Sequence, residues 1–254
     1  MDSNDLYADM LEHEGLFQIY TPNATFVPFR RYLVDWMSDV GERFHLLTTT
    51  VHCATLYMDK ILATREVPRN RWQLIAAACI SVASKYEEAE ECCPQIPDLI
   101  DLTRLNRTSV DFRDRGELEV LRLLGWQLRA LPPLHFVNFY MAKGILFVDD
   151  RWQNKCIIEK IPKYVKKYAE FFCNLCLQDY NFSKYPSSLL AAAICAASRA
   201  ALNMEQEWRK ELYYVTGYTR SEVNPVFKHL WSNYQEQFPG HGIRTPSPRN
   251  VADL

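Results

Sequence analysis

Apolar positions along this 254-residue chain recur at spacings of three and four, which places them on helix faces and predicts an all-α protein. The clearest stretch is FRRYLVDWMSDVGERF at 29–44, where Phe29, Tyr32, Leu33, Trp36 and Val40 fall on one stripe. Val34 and Met37 fall beside it and widen the apolar arc to roughly 200°. A surface helix needs about half that arc. Part of this helix must therefore face something other than its own core.

The same pattern and its punctuation set out the remaining elements. Residues 4–14 read as a short amphipathic helix ended by Gly15, and 16–27 read as a linker. Thr48 or Thr49 caps a helix over about 50–63, and Pro68 starts a third, RNRWQLIAAACISVASKYEE. Pro94 and Pro97 bracket a short fourth. Thr108 and Ser109 cap a fifth that runs to Leu124 and stops at Gly125. Pro132 and Pro133 make a stiff joint before a second helical set. Within it, 151–179 carry a long helical pattern in which Pro162 predicts a kink or break. Further helices are expected over 187–202, 205–216 and 221–237, the last two separated by Gly217 with Ser221 as the cap.

LIAAAC at 74–79 recurs as LLAAAI at 189–194, and ASK at 83–85 recurs as ASR at 197–199. Each is the third main helix of its half, so the chain reads as a duplicated five-helix unit. Ala-rich helices let neighbouring backbones come close, as a central helix wrapped by others requires. The expected division is an N-terminal helix and linker over 1–28, a first unit over 29–130, a second over 131–238 and a tail over 239–254.

Composition narrows the function. The net charge is −2, which gives no sign of a nucleic-acid partner. No run of 18 apolar residues exists and the first ten residues are polar and acidic, so a membrane partner is not expected and an intracellular location is. The eight cysteines read as reduced thiols. Cys173 and Cys176 lack a second ligand pair and read as core, and Cys92 and Cys93 are no better as ligands. His and carboxylate positions form no hydrolase-like or metal-binding constellation, so neither a cofactor nor catalysis is expected.

Two five-helix units with Ala-rich centres resemble the cyclin fold, and specific segments carry that likeness. RRYLVDWMSDVGERF resembles the first cyclin-box helix, usually Met-Arg-Ala-Ile-Leu-Val-Asp-Trp-Leu. LYMDKIL at 56–62 resembles the second, usually Asn-Tyr-Ile-Asp-Arg-Phe-Leu, and ASKYEE at 83–88 is similar to Ala-Ser-Lys-Phe-Glu-Glu. GELEVLRLLGWQL at 116–128 resembles the fifth helix and its exit. The second half, CLQDYNFSKYPSSLLAAAICAASR, is most similar to J-type cyclins.

The resemblance implies a non-enzymatic regulatory subunit of a cyclin-dependent kinase, acting in the cell cycle in the nucleus or cytoplasm. Such a subunit docks on the kinase's mobile helix and turns a catalytic Glu toward the ATP-anchoring Lys, a population shift driven by preferential binding to the active state. Lys85 and Glu117 match the pair that hydrogen-bonds kinase backbone, and Tyr86, Glu88, Leu121, Trp126 and Leu128 match other kinase contacts. Phe29, Leu33 and Trp36 match a patch that holds Arg-x-Leu peptides of substrates and inhibitors, with Arg69 and Gln73 as its polar flank. Here Phe29, Tyr32 and Arg31 stand where the family has Met, Ile and Ala. Asp35 and Lys60 match a structural pair between the first two helices.

Two other readings follow from the same residues: a cyclin-box scaffold working in transcription, and an adaptor that binds a kinase without activating it. The first predicts a strongly basic face, against the near-neutral charge. RRYL resembles a degron but lies within a helix, TPSP at 245–248 offers proline-directed phosphorylation sites, and Lys155, Lys160, Lys163, Lys166 and Lys167 read as a solvated face.

Overall fold

The structure is a computed structural model that describes residues 3–103, 112–152, 155–156 and 161–239. The predicted caps Thr108 and Ser109, the TPSP segment, and the side chains of Lys155 and Lys160 lie outside the described residues. Helices dominate, in two compact units. One comprises Met1–Pro132 with Gln178–Lys184, the other Pro133–Leu177 with Tyr185–Leu254.

In the first unit, α1 (Ser3–Glu14) and a short turn (Gly15–Phe17) lead to α2 (Val27–Arg43), α3 (Thr48–Thr64), α4 (Trp72–Glu87) and α5 (Ile96–Thr103). A π-helical turn (Arg113–Glu117) then runs into α6 (Leu118–Leu123). α4 is the centre: from Trp72 to Ser84 every residue but Gln73 is buried. Ala76, Ala77, Ala78 and Ala83 leave room for α2, α3, α5 and α6 to close around it. Gly41 serves the same end at the other side of α2, since a Cβ there would collide with the Val51 side chain.

α2 settles the question its apolar arc raised. Val34, Met37, Val40 and Gly41 face inward together with Arg30, while Phe29, Leu33 and Trp36 are half-buried and Tyr32 is exposed. Arg30 tolerates burial because Asp59 of α3 meets it in a two-pronged ion pair, both bonds 2.8 Å long. That pair replaces the expected Asp35–Lys60 lock. Lys60 follows Asp59 by one residue and is turned about 100° away, so its ammonium instead meets the Leu16 carbonyl at 2.8 Å and the Phe17 ring at 4.3 Å. Burial without a carboxylate partner lowers its pKa. Asp35 accepts from Gln178 at 3.1 Å. Gln178–Lys184 is fastened further by Tyr180, which accepts from the Thr21 amide and lies edge-on to Phe26.

In the second unit, α7 (Pro133–Lys143) is followed by a two-residue-stranded hairpin of β1 (Arg151–Trp152) and β2 (Lys155–Cys156). Then come α8 (Ile161–Gln178), α9 (Ser187–Ala201), α10 (Leu212–Thr216) and α11 (Arg220–Gln237). The hairpin corrects the expected long helix, and Pro162 opens α8 rather than kinking it, because its missing N–H is harmless in the first turn. The helix expected over 205–216 shrinks to one turn closed by Gly217 at φ 76°. The cap of α11 is Thr219, two residues before the expected Ser221, in a reciprocal capping box with Glu222. α9 repeats the role of α4, buried from Leu190 through Arg199 and packed by α7, α10 and α11.

Candidate functional site at the end of the first central helix

α4 emerges from the core at Lys85, where its buried Ala-rich run meets solvent. The side chain of Lys85 is 50% exposed and that of Glu117 only 10%. They meet at 2.6 Å, and Ser81 one turn earlier donates to the same Glu117 oxygen. A carboxylate removed from water needs such donors. The π-helical turn ends on Glu117, and its Gly116 passes so close to α4 that an added Cβ would lie 3.3 Å from that of Ala78. The chain thus brings a buried acid under a half-exposed cation, whose remaining N–H donors face outward.

The neighbouring residues divide by role. Tyr86 is 51% exposed and Trp126 64%, both large aromatics near the ends of their helices. Trp126 takes φ 62° after Gly125, a left-handed exit whose amide returns to the Leu121 carbonyl at 2.9 Å. Leu121 and Leu128 are half-buried, and the Leu128 carbonyl accepts from the buried Tyr57 hydroxyl. Glu88 plays a structural part, accepting from the Leu47 amide at 2.7 Å and from Thr50 Oγ1 at 2.6 Å and so capping α3 from the end of α4. A concavity of about 690 Å³ opens beside the pair, walled by Lys85, Glu88, Cys93, Pro94, Pro97 and Arg113. Burial raises the Cys93 thiol above its usual range.

The second predicted surface is also assembled in part. The Phe29 ring lies 5.8 Å from that of Trp72, and the Arg69 guanidinium stands 3.8 Å from its centre. Leu33, Trp36 and Gln73 are half-buried. Arg69 therefore covers the Phe29 end of the patch.

Residues that the sequence did not single out are Arg30 and Asp59, Gln178, and Arg113 on the rim of the concavity. Arg30 was legible in principle, because it falls on the Val34–Met37–Gly41 face of its helix.

Comparison with known proteins agrees with this arrangement. The family described as "Cyclin, N-terminal domain" matches residues 10–129, and "Cyclin, C-terminal domain" matches 132–244. Cyclin-J of Xenopus laevis is 28% identical over 232 residues, covering 89% of this chain and 60% of its own length. Cyclin-D of Ostreococcus tauri is 33% identical over 243 residues, covering 91% and 62%. G2/mitotic-specific cyclin-B2 of Bos taurus is 32% identical over 204 residues, covering 80% and 46%. The chain thus spans about 60% of the length of the first two relatives and less than half of the third. Among solved structures, a viral cyclin from herpesvirus saimiri superposes with a TM-score of 0.70 at 18% identity, covering 93% of this chain and 97% of that one. A chain of the yeast RNA Pol II CTD kinase CTDK-1 complex gives 0.64 at 12%, covering 97% and 80%. Two central helices, two wrapped units and two matched domains lead to one assignment: the chain belongs to the cyclin family.

Proposed function

We propose that this chain is the regulatory subunit of a cyclin-dependent protein kinase and docks it through the end of α4. One observation carries the reading: a half-exposed Lys85 held by the buried, Ser81-bonded Glu117. The Ser81 bond holds the acid in place, and the half-exposed ammonium suits backbone carbonyls of a partner helix end. Exposed Tyr86 and Trp126 offer aromatic anchors near the ends of their helices, and Leu121 and Leu128 are half-buried. Kinship with cyclins, and likeness in fold to a chain of a kinase complex, support the same conclusion. Activation follows where the docked surface fits the active kinase better than the inactive one. Such a subunit works inside the cell, in nucleus or cytoplasm. No helix among the described residues is long and apolar enough to cross a membrane.

The test is a pulldown of the full chain, mass spectrometry of the eluate and a histone kinase assay on it. A bound protein kinase with activity above that of the kinase alone is the expected result. A bound but inactive kinase selects the adaptor reading, and recovery of transcription factors without a kinase selects the scaffold.

The patch of Phe29, Leu33 and Trp36 is read as a place for substrate or inhibitor peptides, with Arg69 and Gln73 at its edge. An Arg-x-Leu peptide must displace Arg69 from Phe29 and bring its own Arg near Arg31, so affinity is expected to be weak. Trp36→Ala is expected to lower what affinity there is, read by peptide titration. Equal affinity in wild type and variant removes the patch from the account.

A further inference from the structure

A single turn, Glu90–Cys92, lies between α4 and α5 and brings two adjacent thiols to the surface. Among the described residues Cys92 is exposed and Cys93 half-buried, whereas Cys53, Cys79, Cys173, Cys176 and Cys195 are buried. Glu90 and Cys93, on either side of Cys92, line the concavity of about 690 Å³ that Lys85 and Arg113 also wall. Cys92 therefore stands at the rim of the docking face. We propose that Cys92 is a site of reversible mixed-disulfide formation with glutathione, and that the adduct closes this face to a kinase. The effect on the kinase rests on the docking reading; the modification itself does not.

Access and local chemistry select the sulfur. Buried thiols are shielded from reagents in solution, and burial raises those of Cys53, Cys79 and Cys173 well above their usual range. Cys93 is raised too, and its Sγ lies 3.5 Å from the Ala89 carbonyl. Cys92 makes no hydrogen bond to another described residue. The step is thiol–disulfide exchange. The Cys92 sulfur, as its thiolate, attacks one sulfur of glutathione disulfide. A new S–S bond joins Cys92 to that half, the old one breaks, and the departing thiolate takes up the proton that Cys92 released. Cys93 is a poor resolving thiol. Neighbouring Cα atoms lie about 3.8 Å apart across a trans peptide, below the roughly 4.4 Å at which unstrained disulfides begin. The mixed disulfide therefore outlasts a Cys92–Cys93 bond.

The concavity suits the adduct. Glutathione carries two carboxylates and one ammonium, and half-exposed Lys85 and exposed Arg113 offer opposite charge to the carboxylates. The Glu88 carboxylate is already bonded to the Leu47 amide and Thr50, so Glu90 is the wall's acid left for the ammonium. A tripeptide seated there covers the Lys85 ammonium that the proposed docking needs.

The full chain is treated with glutathione disulfide, desalted, mapped by peptide mass spectrometry and used as bait in the kinase pulldown beside untreated chain. The expected result is one glutathionyl group on Cys92, loss of kinase from the treated bait, recovery with dithiothreitol, and neither change in Cys92→Ser. No adduct on Cys92, an adduct confined to Cys93, or a Cys92–Cys93 disulfide in its place overturns the site. An adduct with undiminished kinase recovery, or the same loss in Cys92→Ser, overturns the closing of the face. Treated and untreated chains are expected to melt together. A melting point lowered by the adduct would make unfolding the cause and overturn the closing likewise. If untreated chain recovers no kinase, the docking reading fails, and the mass map alone still decides the Cys92 site.

Discussion

The two central helices end alike in sequence and opposite in chemistry. ASK at the end of α4 leaves Lys85 half-exposed over Glu117, while ASR near the end of α9 leaves Arg199 wholly buried. Arg199 forks Asp150 with two bonds of 2.7 Å and directs its remaining donors to the carbonyls of Ile145 and Gln206. Arg209 closes the cluster by reaching both Asp149 and Asp150. A guanidinium has planar, divergent donors that can all be satisfied at once inside a protein, whereas an ammonium is a compact charge that keeps water or a partner at its head. One duplicated scaffold thus carries a buried lock in its second unit and a half-exposed ion pair in its first. This contrast is why the proposed docking face lies on α4 and not on α9.

Breaking the lock is expected to have the largest effect. Arg199→Ala leaves the buried Asp150 with only Arg209 and the Phe147 amide, and loss of one partner of a buried pair costs about 3 to 5 kcal/mol. Urea denaturation should show the second unit unfolding first. A loss well below 1 kcal/mol would place the pair among surface-like bridges.

Acid gives a finer probe of the same lock. Burial works to raise the Asp150 pKa, but the Arg199 fork and the Phe147 amide outweigh it and hold the carboxyl below its ordinary 3.8. A depressed folded-state pKa contributes stability that is complete above the unfolded value and is lost as pH falls through the folded one. Melting temperature should therefore decline below about pH 4, and Asp150→Asn should flatten that part of the decline. An unchanged slope in the variant would assign the acid sensitivity to other carboxylates.

The smallest effect sharpens the first unit. Glu88→Ala removes the cap that α4 lends to α3 and should cost about 1 kcal/mol, within the range of ordinary N-caps. Loss of kinase binding at unchanged stability would instead make Glu88 a contact residue.

Much of the fold was legible because a buried central helix has an unusual signature. Ala-rich runs with no polar face, repeated once, point to two wrapped helices before any contact is known. The α3 phase was legible too, since Leu56, Lys60 and Thr64 share the less buried face and Asp59 turns inward. Pairing Lys60 with Asp35 ignored that one-residue rotation. The π-helical turn was not legible, because one extra residue in a turn shifts the phase without a marker in composition. The pairing of Arg151–Trp152 with Lys155–Cys156 was hidden likewise, its flanks continuing a helix-like pattern. At the candidate site, Lys85 and Glu117 came together as the family likeness implied. The capping role of Glu88 depends on a helix start 41 residues away, which periodicity does not report.

The exposed cation of α4 and the buried acid beneath it are the proposed kinase-docking point. The most direct test is co-purification of a cyclin-dependent kinase with wild type, Lys85→Ala and Glu117→Ala, each checked by thermal melting. A kinase is expected to be retained by wild type and lost from both folded variants, since breaking a pair desolvated by a partner costs roughly 3 to 5 kcal/mol. Undiminished kinase binding by both folded variants would contradict it.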